Sequence, residues 1–284
     1  MRKLPTWKQV LTQISLLMIG IYVILPIWGM ARLAFDGALK SRPTEFRLFP
    51  KDFTFSTFVK VLNKPYQSVD FTILLMNSLI VSFGAALIAI ILGASLAYAF
   101  ARFRFPGRKP GIMILLLTAI LPSIAFATPL YILLGMLGIR TTLGGLIIVY
   151  ASFAMPFCIW NMRAAFQSIP PELEEAAFLD GAGNLTSFVN ITLPLALPSI
   201  TVAGLIAFLM SYSEFAIGWL FVEKPTTVTL SMAIYAMVQT QYSGGAQPWS
   251  YLGSLTLIMS IPVVIIFIIL QRSLLERMMF GNSE

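Results

Sequence analysis

Glu172, Glu174 and Glu175 form the densest acidic group in a chain with only 12 Asp and Glu among its 284 residues. Carboxylates this close can move protons, hold a metal ion or receive the cations of a partner. The first two uses need companions that the chain does not offer. It has no His, which removes the commonest general base and the commonest metal ligand together. Its one Cys, Cys158, lies in an apolar run and cannot close an internal disulfide. The sequence offers neither a buried acid pair nor a Gly-x4-Gly-Lys-Ser/Thr phosphate loop. An enzyme constellation is therefore missing, and any ATP must be hydrolysed by another chain. What remains for the three acids is docking or plain solvation.

Their surroundings are punctuated as a helix, a turn and a second helix. In "SIPPELEEAAFLDGAGN", Pro170 and Pro171 suit a first turn, where amide hydrogens are unpaired anyway. The acids then sit at the positive end of the helix dipole. Leu173, Ala176 and Ala177 lie together, and the two alanines let another surface come close. Gly181 can end the helix in a left-handed cap, and Asn184 can cap the next one. In that second helix Phe188, Ile191 and Leu195 are spaced to share a face. Pro194 and Pro198 bend the chain onward. The residues alone leave two readings open, a docking helix or a solvated amphipathic connector.

The elements that must position this segment are membrane spans. The chain is 58% hydrophobic and 11% charged, where a soluble domain is nearer about 25% charged. A bilayer core needs about 20 apolar residues of helix. Six segments qualify: Gln9–Ala31, then stretches within Phe71–Ala101, Pro110–Leu134 and Thr141–Met162, then about Leu195–Leu220 and Tyr251–Gln271. The first holds 22 uncharged residues, Val10–Ala31, and reads as an uncleaved span rather than a signal peptide. "VTLSMAIYAMV", Val228–Val238, is too short to cross and reads as an external or re-entrant helix. It ends at the helix-breaking "QTQYSGGAQPW", Gln239–Trp249.

The net charge of +7 lies in short blocks between spans, which read as topology signals. Arg2, Lys3 and Lys8, the 102–109 turn, and Arg272 with Arg277 put both termini and that turn in the cytoplasm. The acidic segment, between the fourth and fifth spans, is then also inside. Residues 32–70 run against this pattern. They carry seven Lys or Arg yet fall outside, diluted by Asp36, Glu45, Asp52 and Asp70.

At this point the sequence resembles a known family. Glu175-Ala176-Ala177, Gly181, Ile191 and Leu193-Pro194 reproduce, with every spacing kept, the signature cytoplasmic loop of bacterial ABC importer permeases, and Asp180 and Ala182 flank the glycine as is common there. "NSLIVSFGAALIAIILGASLAYAFARFRFPGRK" resembles the start of the permease core in carbohydrate-type importers. "IPVVIIFIILQRSLLERMMFG" resembles the end of the smaller permease of maltose-type systems. The likeness covers roughly residues 70–284. "PPELEE" departs from relatives that have Ser or Asp before the acids.

The resemblance implies an all-α membrane protein with six transmembrane helices and the type I ABC importer permease fold. It implies residues 1–69 as first helix and long periplasmic loop, and 70–284 as a core of five helices. That core would carry a cytoplasmic coupling loop at about 164–194 and a periplasmic loop at about 221–250. Implied partners are a second, non-identical permease, two ATP-binding subunits carrying ATP and Mg, an extracytoplasmic solute-binding protein and the inner-membrane bilayer, with no cofactor in this chain and no nucleic acid. Implied coupling residues are Glu172, Glu174, Glu175, Ala176, Ala177, Asp180, Gly181, Ala182, Phe188, Ile191, Leu193 and Pro194, with Glu175 pairing a basic residue of the ATPase. The solute would be a di- or oligosaccharide or a related glycoside.

Two further sets are weighed against plainer readings. Gln239, Gln241, Tyr242, Gly244, Gly245 and Gln247 match the relatives' loop that reaches into the binding protein, or form an ordinary turn. Tyr131, Tyr150, Asn161, Tyr212, Ser213 and Glu214 could line a sugar path. Tyrosines, however, also mark membrane interfaces, and Glu214 also suits a structural or gating role. The rival function is an ion-coupled solute carrier, and the scarcity of acids at membrane depth argues against it.

Overall fold

The longest apolar runs fold as unbroken helices in the computed structural model. They are α1 (Thr6–Ala34), α3 (Phe71–Arg102), α6 (Leu143–Ser168) and α13 (Trp249–Phe280). Each is long and apolar enough to cross a membrane, and two bent helix pairs bring the candidate spans to six. The structure describes residues 5–39, 43–45, 47–63, 65–67, 69–242 and 248–280, with backbone alone at 240–242 and 272–280. Among them are no β-strands, only the isolated bridges Asp36 to Phe53 and Tyr66 to Val69.

The remaining helices are short. They are α2 (Ser56–Asn63), α4 (Arg108–Ile120), α5 (Ala127–Met136), α7 (Glu172–Leu179) and α8 (Asn184–Ser187), then α9 (Leu193–Leu195), α10 (Leu197–Ser213), α11 (Ala216–Phe221) and α12 (Leu230–Tyr242). Inside the spans, Ser78, Ser82, Ser95 and Ser152 donate to the carbonyl four residues back, so their hydroxyls are satisfied within the helix.

The third span is not one rod. Arg108–Ile120 and Ser123–Met136 meet at 103°. Pro122 is the cause: it has no amide hydrogen, and it drives Leu121 into an extended conformation at φ −68°, ψ 136°. The fifth is interrupted too. Segments Asn184–Leu195 and Leu197–Ser213 meet at 77°, with the break at Ala196 between Pro194 and Pro198, and α10 ends before Glu214 with α11 following.

The chain forms two compact units. The first comprises Met1–Phe71 and Ile234–Ile261. Here the Ala34 carbonyl at the end of α1 accepts hydrogen bonds from Thr57 (2.7 Å) and Ser254 (3.1 Å). Buried Asp36 accepts from the Ala38 and Lys51 amides, and Phe35 packs against Phe53, Phe55 and Phe58. Two basic residues of the 32–70 segment are engaged locally: Arg32 donates to the Arg47 carbonyl, and Arg47 pairs with Glu45. The Arg47 guanidinium holds the Glu45 carboxyl below its usual range.

The second unit comprises Thr72–Ala233 and Pro262–Glu284. Its core is α6 against α10, where the buried Cys158 thiol lies 3.6 Å from the Ala203 carbonyl. Buried Asn77 of α3 donates to the carbonyls of Thr226 (2.8 Å) and Val228 (2.9 Å), and the Ser78 hydroxyl accepts the Leu230 amide at the start of α12. These bonds fix the 222–230 connector. The helix expected at Val228–Val238 runs instead over Leu230–Tyr242, so the expected break at Gln239 falls later.

Candidate functional site

The segment between α6 and α10 has two distinct faces. Pro171 precedes α7, and its carbonyl accepts the amides of Glu174 and Glu175, each at 3.0 Å. The helix ends in a full left-handed cap: Gly181 has φ +86°, its amide donates to the Phe178 carbonyl, and the Ala182 amide donates to the Ala177 carbonyl. The next helix starts one residue earlier than its cap was expected. Gly183 holds the cap position, and Asn184 is the first helical residue.

Glu174 turns inward. Its side chain is buried, Oε1 accepts from Arg102 Nε (2.8 Å) and Thr192 Oγ1 (2.6 Å), and Oε2 accepts from the Tyr98 hydroxyl (3.0 Å). Arg102 also donates to the Ile169 carbonyl at 2.9 Å. One carboxylate thus ties together the end of α3, the end of α6 and the segment after α8. This corrects its expected place beside the outward acids. Arg102, read from the sequence as a topology charge, is the internal partner of Glu174. Arg108 of the same basic turn bonds the Phe100 carbonyl at 2.9 Å, closing the C-terminal end of α3.

The second half of the segment departs from the expected helical face. Phe188–Thr192 is a π-helical turn in which the Leu193 amide reaches back five residues to the Phe188 carbonyl. The extra residue in the turn shifts the register. Phe188 packs on Tyr98 (4.5 Å between rings) and Phe166, and Ile191 is half-buried. Leu195 is exposed, while Thr192 and Ala196 are buried in its stead. Phe188, Ile191 and Leu195 therefore do not share one buried face. Leu193 is half-buried, and Pro194 is exposed just before the bend.

The outer face is left open. Glu172, Glu175, Ala176, Asp180 and Gly181 are exposed, and Ala177 and Ala182 are half-buried. Around them stand Leu173, Phe178, Leu179 and Leu185, with Leu179 90% and Leu185 74% exposed. Loop leucines this exposed, beside carboxylates and two alanines, form a surface that another protein can cover.

The expected path residues separate. Tyr150 and Glu214 line one cavity of about 250 Å³ with Thr118, Ser123, Phe153 and Ser211. Tyr131, Asn161, Tyr212 and Ser213 are not in its wall. The Arg140 guanidinium stacks on Tyr131 at 4.2 Å and pairs with Glu223. Tyr212 is buried against Phe208, Ser213 donates to the Leu209 carbonyl, and the Asn161 side-chain oxygen is buried without a hydrogen bond. Glu214 caps α11, accepting the amides of Ile217 (3.0 Å) and Gly218 (3.3 Å).

Of the residues expected to meet a binding protein, Gly244, Gly245 and Gln247 lie outside the described residues. Gln239, Gln241 and Tyr242 belong to the last turn of α12, and Gln239 bonds the Tyr235 hydroxyl. Among the described residues no cluster of His, Cys, Asp and Glu could hold a metal ion.

Comparison with known proteins agrees with this architecture. Residues 89–280 match the family described as binding-protein-dependent transport system inner membrane component. The chain is 29% identical over 265 residues to the trehalose transport system permease protein SugB of Mycobacterium tuberculosis, covering 92% of each chain. It is 23% identical to the maltodextrin transport system permease protein MdxG of Bacillus subtilis, covering 98% of this chain and 96% of that one. Its fold is similar to a chain of a bacterial ABC transporter involved in import of the acidic polysaccharide alginate. There the TM-score is 0.74 at 20% identity, covering 96% and 99% of the two chains. An ion-coupled carrier finds no support among these relatives.

Proposed function

Because the chain belongs to the family of binding-protein-dependent transport inner membrane components, it is the multi-pass permease part of such an importer, and we propose that its solute is a di- or oligosaccharide or a related glycoside. ATP is hydrolysed by a separate subunit. Trehalose and maltodextrin permeases that align along nearly the whole chain support the sugar class.

The two-faced loop between α6 and α10 is the observation that carries the mechanism. Its inner face is bolted to α3 and α6 through Glu174, Arg102 and Tyr98. Its outer face offers Leu173, Leu179 and Glu175 to a partner. The ATP-binding subunit docks there, with Glu175 paired to one of its cations and Ala176 and Ala177 allowing close approach. When two such subunits close on ATP and Mg, the movement enters the spans through a buried ionic contact rather than a flexible connector. The loop and both termini are cytoplasmic, and the core comprises residues 70–284 after a first helix and external loop at 1–69. A second, non-identical permease completes the pathway, and an extracytoplasmic protein delivers the solute to the segment around Gln239–Trp249.

The experiment is uptake by proteoliposomes holding the full importer. Trehalose or maltotriose should accumulate only with ATP on the loop side and a binding protein on the other. Accumulation driven by a proton or sodium gradient without ATP would overturn this reading.

A further inference from the structure

Two helix breaks converge on the cavity that contains Tyr150 and Glu214. One is the bend between α4 and α5, which contributes Thr118, Leu121 and Ser123. The other is the gap between α10 and α11, which contributes Ser211, Glu214 and Ile217. In membrane transporters, interrupted helices expose backbone and polar side chains where a solute is held. Here α6 forms the wall between the two breaks, through Tyr150, Phe153 and Ala154.

The polar groups of this wall are unevenly occupied. Ser211 and Thr118 spend their hydroxyl protons on the carbonyls of Ala207 and Leu115, which leaves their oxygens as acceptors. Glu214 accepts one backbone amide on each oxygen and keeps further lone pairs. The Tyr150 hydroxyl differs. The residue is 2% exposed, its oxygen closes no well-formed hydrogen bond, and the acceptor and charge acting on it are those of the Glu214 carboxylate. A buried hydroxyl without a partner costs free energy unless something supplies one. Gly218 leaves it room, since a Cβ there would stand 2.2 Å from the Tyr150 oxygen and 2.0 Å from Met232 Cε.

We propose that this cavity is a subsite for one neutral sugar ring of the transported solute, with the Tyr150 hydroxyl donating to a sugar oxygen and Glu214 accepting from a sugar hydroxyl. The inference rests on the importer reading above and names the site within this chain. The volume of about 250 Å³ suits a single ring better than a whole oligosaccharide. Phe153 supplies an aromatic surface beside the hydroxyls, the pairing that a sugar's apolar face and polar rim require. The wall has a carboxylate and no Lys or Arg, so an anionic sugar finds no counter-charge there.

The test uses the whole importer in proteoliposomes with ATP and its binding protein, and trehalose, maltose and maltotriose as probes. Tyr150→Phe removes one oxygen and nothing else. It should change the relative uptake of the three sugars by roughly three- to tenfold, the worth of one hydrogen bond. Glu214→Gln, which keeps one acceptor oxygen for the α11 amides, should shift selectivity in the same way. Thr118→Cys gives a second readout. The native Cys158 is fully buried, so a membrane-impermeant thiol reagent reports only the introduced thiol. Sugar should slow that labelling at least about threefold.

Unchanged selectivity in Tyr150→Phe with normal wild-type uptake would overturn the subsite alone. A Thr118→Cys variant that is never labelled would mean that another chain fills the cavity, and would overturn it too. A wild type that imports none of the sugars would remove the sugar reading itself, and the subsite with it.

Discussion

On the inner face of α7, the Glu174 carboxylate takes three hydrogen bonds from its own chain, while on the outer face Glu175 is exposed with no partner among the described residues. The two residues are adjacent and chemically identical. About 100° of helical rotation separates a group that holds the molecule together from one available to something else. The apolar residues follow the same division. Phe188 is stacked on Tyr98 inside, and Leu179 is 90% exposed outside. A loop whose only task was to connect two spans would have no use for a buried ionic contact on one side and bare leucines on the other.

This contrast can be broken at graded cost. Glu174→Ala should have the largest effect on the isolated permease. It leaves Arg102, 14% exposed, without its carboxylate, and removing one member of a buried pair costs about 3–5 kcal/mol. Thermal unfolding in detergent should show a large drop in Tm, with Glu174→Gln milder because the amide oxygen still accepts. Gly181→Ala comes next. At φ +86° a side chain costs about 1–2 kcal/mol, which the same unfolding curve would register. Thr192→Val removes one hydroxyl donor to Glu174 and should cost about 1 kcal/mol. Leu179→Ser sharpens the comparison from the other side. It should leave the stability of the permease within about 0.5 kcal/mol of wild type while weakening capture of the ATPase.

The sequence made the outer face easier to read than the inner one. Span lengths, the prolines before α7 and the glycine after it are local signals, and the helix and its left-handed cap lie where those signals place them. Glu174 carries no such signal. Its inward turn depends on Arg102 and Tyr98, more than 70 positions earlier in the chain. The π-helical turn is hidden for a similar reason, since "FVNIT" reads as ordinary helix until Thr192 is required to reach Glu174. The break at Pro122 was available in principle, because the residue before a proline avoids the helical region. Glu214 was visible as an isolated acid near a span, but its capping of α11 needed the break after Ser213 to be known.

The most direct measurement is co-purification of the ATPase with wild-type permease and with Glu175→Lys, alongside the unfolding temperature of each permease alone. A docking role for the outer face predicts that Glu175→Lys retains the wild-type Tm and the second permease but binds the ATPase at least about tenfold more weakly, the change in Kd that about 1.4 kcal/mol produces. Undiminished ATPase on Glu175→Lys, in a preparation where the wild type also binds it, would contradict the account and leave the loop a connector.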